Sequence, residues 1–142
     1  MNRMIFVNLP VTDLQKSIAF YEAIGATADQ NFRDESTQMM RISDEIGVMI
    51  MTHERFQGFT PRRIPNAHET AQVLLALSAG SRDEVDATTE KAGASGGIAD
   101  PNPLQDHGFM YGRSFADPDG HIWELAWMDM AAAMNQGAEA SA

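Results

Sequence analysis

The chain has 142 residues, 44% hydrophobic and 21% charged, which fits one compact globular domain. It has no cysteine, which excludes a disulfide framework, a thiolate zinc site, an iron–sulfur cluster and a cysteine nucleophile. Ten Lys+Arg against twenty Asp+Glu give a net charge of −10, which repels phosphate backbones and anionic membranes and argues against nucleic acid as a partner.

No stretch approaches the roughly 20 apolar residues of a membrane span. Residues 1–11 lack the basic region, long apolar core and small-residue cleavage site of a signal peptide. Without cysteine, nothing points to an oxidising compartment either, so the cytoplasm is expected.

In chain order, the apolar, β-branched run 4–11 predicts a strand, and Thr12-Asp13 supplies a helix N-cap. Leu14, Ile18, Tyr21 and Ile24 fall at helical spacing, and Gly25 is a good stop. Residues 38–42 and 46–52 predict two strands around the turn Ser43-Asp44-Glu45. Residues 53–71 hold Gly58, Pro61 and Pro65 and predict a loop or linker.

The same grammar then recurs. Residues 73–78 predict a strand, and Ser81-Arg82-Asp83-Glu84 matches a capping box that opens a helix to about residue 92. Residues 108–115 and 121–128 predict strands around the turn Asp117-Pro118-Asp119-Gly120. Short strands near 27–32 and 97–100 complete two βαβββ modules, about 1–57 and 72–130, joined by a linker over 58–71. Each module alone is too small for a good core. The expected fold is therefore α+β: one domain over 1–130, with a curved mixed sheet, helices on one face and a concave cavity on the other. The Ala-rich, polar tail 131–142 is expected to fray.

Two stretches carry a resemblance. The run Val7-Asn8-Leu9-Pro10-Val11-Thr12-Asp13 continues into Ser17, Phe20 and Tyr21 at the spacing Asp-x-x-x-Ser-x-x-Phe-Tyr. The run Phe115-Ala116-Asp117-Pro118-Asp119-Gly120-His121-Ile122-Trp123-Glu124-Leu125 joins an Asp-Pro-Asp-Gly turn to a Glu-bearing strand. Together with Ala76-Leu77-Ser78, they resemble the vicinal oxygen chelate superfamily, the group of glyoxalase I, bleomycin and fosfomycin resistance proteins and extradiol dioxygenases, over about 4–129.

The resemblance implies a divalent metal held in the concave face by His or Gln, Glu, His and Glu. The corresponding positions here are Phe6, Ile50 or Met51, Leu74 and Glu124, and only Glu124 offers a donor suited to a hard ion. No bound metal is therefore expected. His53, His68, His107 and His121 show no His-x-His or His-x-x-x-His spacing that would rebuild a site.

Strand alternation sorts the remaining residues. With Glu124 in the cavity, Ile122, Ala126 and Met128 share its face, while Trp123, Leu125 and Trp127 pack beneath the helices. Phe6, Asn8 and Pro10 face the cavity, and Ile5, Val7, Leu9 and Val11 the core. Leu74 and Ala76 join the cavity, with Val73, Leu75 and Leu77 opposite. In residues 106–113, Phe109, Tyr111 and Arg113 share one face, and either face fits the cavity. Arg113 pairs with Glu124 or binds an anion; the alternative is an ion pair in the core or an interface. Tyr111 either donates to a ligand or simply packs. The candidate ligand-binding set is Phe6, Asn8, Leu74, His107, Tyr111, Arg113 and Glu124, with Glu124 also the candidate catalytic residue.

Ten methionines, many in strands, suit either an adaptable apolar pocket or plain core filling. The resulting expectation is a cytoplasmic, metal-free protein that binds a small apolar or aromatic molecule, similar to bleomycin-type resistance proteins; a homodimer follows from the resemblance. The alternatives are a divergent glyoxalase- or dioxygenase-type enzyme built on Glu124, and a non-catalytic interaction module.

Overall fold

A computed structural model describes residues 2–134. The first half runs β1 (Ile5–Val11), α1 (Leu14–Ala23), β2 (Thr27–Arg33), β3 (Thr37–Arg41) and β4 (Ile46–Thr52). A short helix follows, α2 (His53–Gln57). The second half runs β5 (Leu75–Ser78), α3 (Arg82–Ala94), β6 (Ile98–Ala99), β7 (Gln105–Asp106), β8 (Met110–Ala116) and β9 (Ile122–Met128). The α+β class and the repeated strand–helix–strands grammar are as expected.

Each half forms its own mixed ladder. The first has the order β1-β4-β3-β2, with β1 parallel to β4. The second has the order β5-β9-β8-β6, with β5 parallel to β9 and β7 paired onto β8. Strands β2 and β6 stand where the sequence suggested them, β2 with seven residues and β6 with two.

Local chemistry explains the helix boundaries. Asp13 caps α1 by accepting from the Lys16 amide at 3.1 Å, and Gly25, with φ of 108°, follows the C-cap Ile24. Ser81 caps α3 by accepting from the Glu84 amide at 3.1 Å. The capping box closes one residue early: the Glu84 carboxylate accepts from the Gly80 amide rather than from that of Ser81.

Several expectations are corrected. Residues 53–57 are helical rather than looped, because the Thr52 hydroxyl accepts from the Arg55 amide at 3.2 Å and caps α2. Strand β5 begins at Leu75, so Val73 and Leu74 escape the expected alternation. Strand β7 was not foreseen. Ile5, placed in the core by parity, is 56% exposed, because β1 becomes buried only toward its far end, at Leu9 to Val11. Residues 130–134 form a helical turn, and the rest of the tail over 131–142 lies outside the described residues.

One buried cluster spans both halves. It joins Leu9, Val11, Phe20, Tyr21, Met40 and Ile50 to Ala92, Phe115 and Trp123. Burying each large apolar side chain contributes about 1.5–3 kcal/mol. The Tyr21 ring meets Trp123 edge-on at 6.2 Å.

Polar bonds then fix the halves together at the Asp-Pro-Asp-Gly turn. Tyr21 donates to Asp117 Oδ2 at 2.6 Å, and Trp123 Nε1 donates to the Tyr21 oxygen at 3.1 Å. Asp117 Oδ1 accepts from the Asp119 and His121 amides. Asp119 accepts from the Thr12 amide at 2.9 Å, and His121 Nε2 donates to the Pro10 carbonyl at 2.8 Å.

Candidate functional site

The register fixes which side chains share the first half's inner face. Phe6, Asn8 and Pro10 align with Gly47, Met49 and Met51, so Met51 rather than Ile50 stands on the face of Phe6. Ile50 turns into the core. In the second half, Leu75 aligns with Trp123 and Ala76 with Glu124, while Ser114 lies opposite Glu124.

Two adjoining hollows result. The first is a cleft of about 480 Å³ between the halves. Its walls include Leu9, Pro10, Leu75 and Ile122, and loop 58–71 with Phe56 of α2 roofs it. The second is a shallower depression of about 550 Å³ that contains Leu74, Glu124, Asn102 and Gln105. Ala71, Gln72, Val73 and Ile122 line both, so the hollows meet along this seam.

The candidate residues divide between these places. Asn8 lines the cleft, and Leu74 and Glu124 line the depression. Phe6 is 46% exposed and leans toward Gly47, where a Cβ would lie 3.2 Å from its ring. His107 is exposed beside β7 and pairs with Gln105 at 3.1 Å, and it lines neither hollow. Val73 and Leu75, expected on the opposite side, line the cleft instead.

Tyr111 and Arg113 are corrected. Arg113 pairs in register with Leu125, so it points away from Glu124 and toward α3. There it meets Asp86 at 3.0 Å, Glu90 at 2.6 Å and Asp100 at 2.6 Å. Tyr111 donates to Asp86 at 2.5 Å. The ion-pair alternative is the one realised, and neither side chain faces the hollows. The Arg113 guanidinium bond holds the Asp100 carboxyl below the usual range, and the Tyr111 and Arg113 bonds do the same for Asp86. Arg82 stacks over Tyr111 at 4.9 Å and grips Asp106, lowering its pKa to about 2.

The donors for a hard ion are not assembled at the inherited positions. Phe6, Met51 and Leu74 offer no oxygen or nitrogen, and Met51 is only 1% exposed. His53, His68 and His121 do line one side hollow with Asp119. Even so, among the described residues no three His, Asp or Glu side chains converge on a metal-holding geometry. A glyoxalase- or dioxygenase-type step through a metal is not derivable from this donor set.

What the sequence reading missed is the roof. Phe56, Arg62, Arg63 and Ile64 all line the cleft, from a segment read only as a linker. Its length was the available signal, since a loop of more than about 12 residues inside a compact domain is usually either functional or a linker, and length alone does not separate the two. The segment is ordered by its own bonds: Gln57 Nε2 donates to the carbonyls of Thr60 and Arg62, and the Asn66 carbonyl accepts from the amides of Glu69 and Thr70.

Solved structures share this architecture. A hypothetical protein from S. aureus is 27% identical, with a TM-score of 0.74 over 89% of this chain and 94% of that one. A glyoxalase-related enzyme from Fulvimarina pelagi is 23% identical, with a TM-score of 0.73 over 89% and 88%. TnmS3, an antibiotic binding protein from Streptomyces sp. CB03234, is 17% identical, with a TM-score of 0.64 over 91% and 98%. No curated protein matches the chain. The family model that matches residues 3–125 agrees with the fold, the Asp-Pro-Asp-Gly turn and the Glu-bearing last strand: the chain belongs to the Glyoxalase/Bleomycin resistance protein/Dioxygenase superfamily.

Proposed function

We propose that the protein binds a small molecule with an apolar or aromatic body in the joined hollows, without the metal usual in such folds. The observation that carries this reading is the cleft of about 480 Å³, within the range typical of ligand pockets, walled by aliphatic side chains and Phe56. The fold similarity to TnmS3, described as an antibiotic binding protein, supports a binding role over a structural one. Glu124 acts as a hydrogen-bond acceptor at the far end of the ligand. Its carboxylate enters no ion pair among the described residues, which leaves it free for that use.

The working form is a homodimer in this reading, because Phe6, Leu74, Leu104 and Met128 expose apolar surface that a second copy would cover. Nothing in the described chain anchors it in a bilayer by a helix: no helix is long and apolar enough to cross a membrane.

The test is thermal unfolding against a panel of aromatic compounds, run on samples whose mass is measured by sedimentation. A saturable rise in melting temperature is expected for at least one aromatic scaffold, and Ile122→Trp, which fills the seam, removes it. No rise across the panel, or a rise that survives Ile122→Trp, sinks the reading.

A divergent enzyme remains the second reading, because the same unpaired carboxylate lines an open depression beside the amides of Asn102 and Gln105. Turnover that persists in Glu124→Ala would remove Glu124 from that role.

A further inference from the structure

Most of the cleft lining is apolar, yet two adjacent cations, Arg62 and Arg63, belong to it. The setting is unusual in a chain of net charge −10. Arg41, Arg82 and Arg113 are each paired with a carboxylate at 2.6–3.0 Å. Among the described residues, Arg3, Arg33, Arg55, Arg62 and Arg63 enter no such pair, and of these only Arg62 and Arg63 line the cleft. Both arginines are exposed, and their guanidinium donors are not spent on ion pairs.

Their backbone is also held in place. Gln57 Nε2 donates to the Arg62 carbonyl at 2.6 Å, and the Arg62 amide donates to the Thr60 hydroxyl at 3.3 Å. Downstream, Ala67 and His68 pack against Gly120, where a Cβ would lie 2.6 Å from the His68 nitrogen. The arginines thus sit on an ordered roof whose two ends are fixed. Pre-ordering of this kind lowers the entropic cost of gripping a ligand.

We infer that the cleft selects amphipathic anions: molecules with an aromatic or aliphatic body in the apolar cleft and one carboxylate, sulfonate or phosphate held by Arg62 and Arg63. The guanidinium fork matches the planar oxygens of such groups, and its bonds to them are charge-assisted. Thr60 and Gln72 add neutral donors on the same lining. The inference rests on the binding role proposed above and adds the charge of the ligand.

Two fluorescent dyes separate the claims. 8-Anilinonaphthalene-1-sulfonate carries the anion, and N-phenyl-1-naphthylamine has the same aromatic body without it. The full chain is expected to bind the sulfonate dye about tenfold more tightly than the neutral one, with the difference shrinking as salt rises. Arg62→Glu with Arg63→Glu removes the preference and leaves the neutral dye unchanged. Arg62→Lys with Arg63→Lys keeps part of the preference. Arg3→Ala, an exposed control elsewhere, leaves both dyes unchanged.

Equal affinity for the two dyes overturns the anion selectivity while the small-molecule reading stands. So does a sulfonate affinity that ignores the double Glu variant, or one that Arg3→Ala weakens as much. If neither dye binds, the anion selectivity falls, and the small-molecule reading falls with it only if the thermal panel is also silent.

Discussion

Asp117 is a carboxylate with no solvent exposure, and burial pushes its pKa above the usual carboxylate range. The bond from Tyr21 and the amides of Asp119 and His121 oppose that rise. A carboxyl whose folded pKa is raised favours the fold at low pH, and its contribution fades as pH rises through the raised value. Tyr21→Phe deletes one donor and leaves Trp123 Nε1 without its acceptor. The expected cost at pH 7 is about 1–3 kcal/mol, and it is smaller near pH 4, where the unsupported carboxyl takes up a proton. Urea unfolding at both pH values checks this; an equal cost at the two, or none, defeats the account. Both residues were legible in the sequence as motif positions. Their bond was not, because it joins residues 96 apart and depends on how α1 lies over the second half.

At the scale of elements, α3 and β8 are locked by the charges on their facing sides. Arg113 is largely buried and neutralises carboxylates from α3 and from the β6 end. Its bonds hold the pKa of Asp86 and Asp100 down, so their contribution is present above the unfolded carboxylate range and is lost as pH falls through the lowered values. Arg113→Gln leaves three carboxylates facing one another, and the pKa values of Asp86 and Asp100 then move upward. The variant is expected to lose about 2 kcal/mol at pH 7, and the gap from the wild type narrows toward pH 3. A gap that stays constant with pH in denaturant titrations would show that packing, not charge, is lost. Alternation placed Tyr111 and Arg113 on one face correctly but left open which face was the cavity. That choice depends on where α3 lies, and strand parity carries no such information. Helix α2 has a weaker signal: it spans only five residues between the Thr52 cap and Gly58, and the breakers Gly58 and Pro61 dominate the segment.

At the scale of the molecule, the cleft exists because one loop crosses from the first half to the second and packs on the turn that joins β8 to β9. The two modules were readable from repeated periodicity, since each half repeats strand and helix signals in order. The roof was not, because a loop without periodicity says nothing about what it covers. Gly120 is where the dependence concentrates. Its φ of 94° suits glycine, and a Cβ there would meet the Ala67 carbonyl carbon at 2.8 Å and the His68 nitrogen at 2.6 Å. Both neighbours are backbone, so relief requires the loop itself to move. Gly120→Ala is therefore expected to cost about 1–3 kcal/mol and to lift the roof from the turn. Arg62 and Arg63 make the loop a trypsin site, which provides a local readout: cleavage there should accelerate in the variant more than its loss of global stability accounts for. The far side of the molecule, around Arg113, should keep its wild-type response to pH. If trypsin cuts the two proteins at rates that differ only in proportion to their unfolding equilibria, the loop is not held by this turn, and the cleft owes its shape to Gln57 and Asn66 alone.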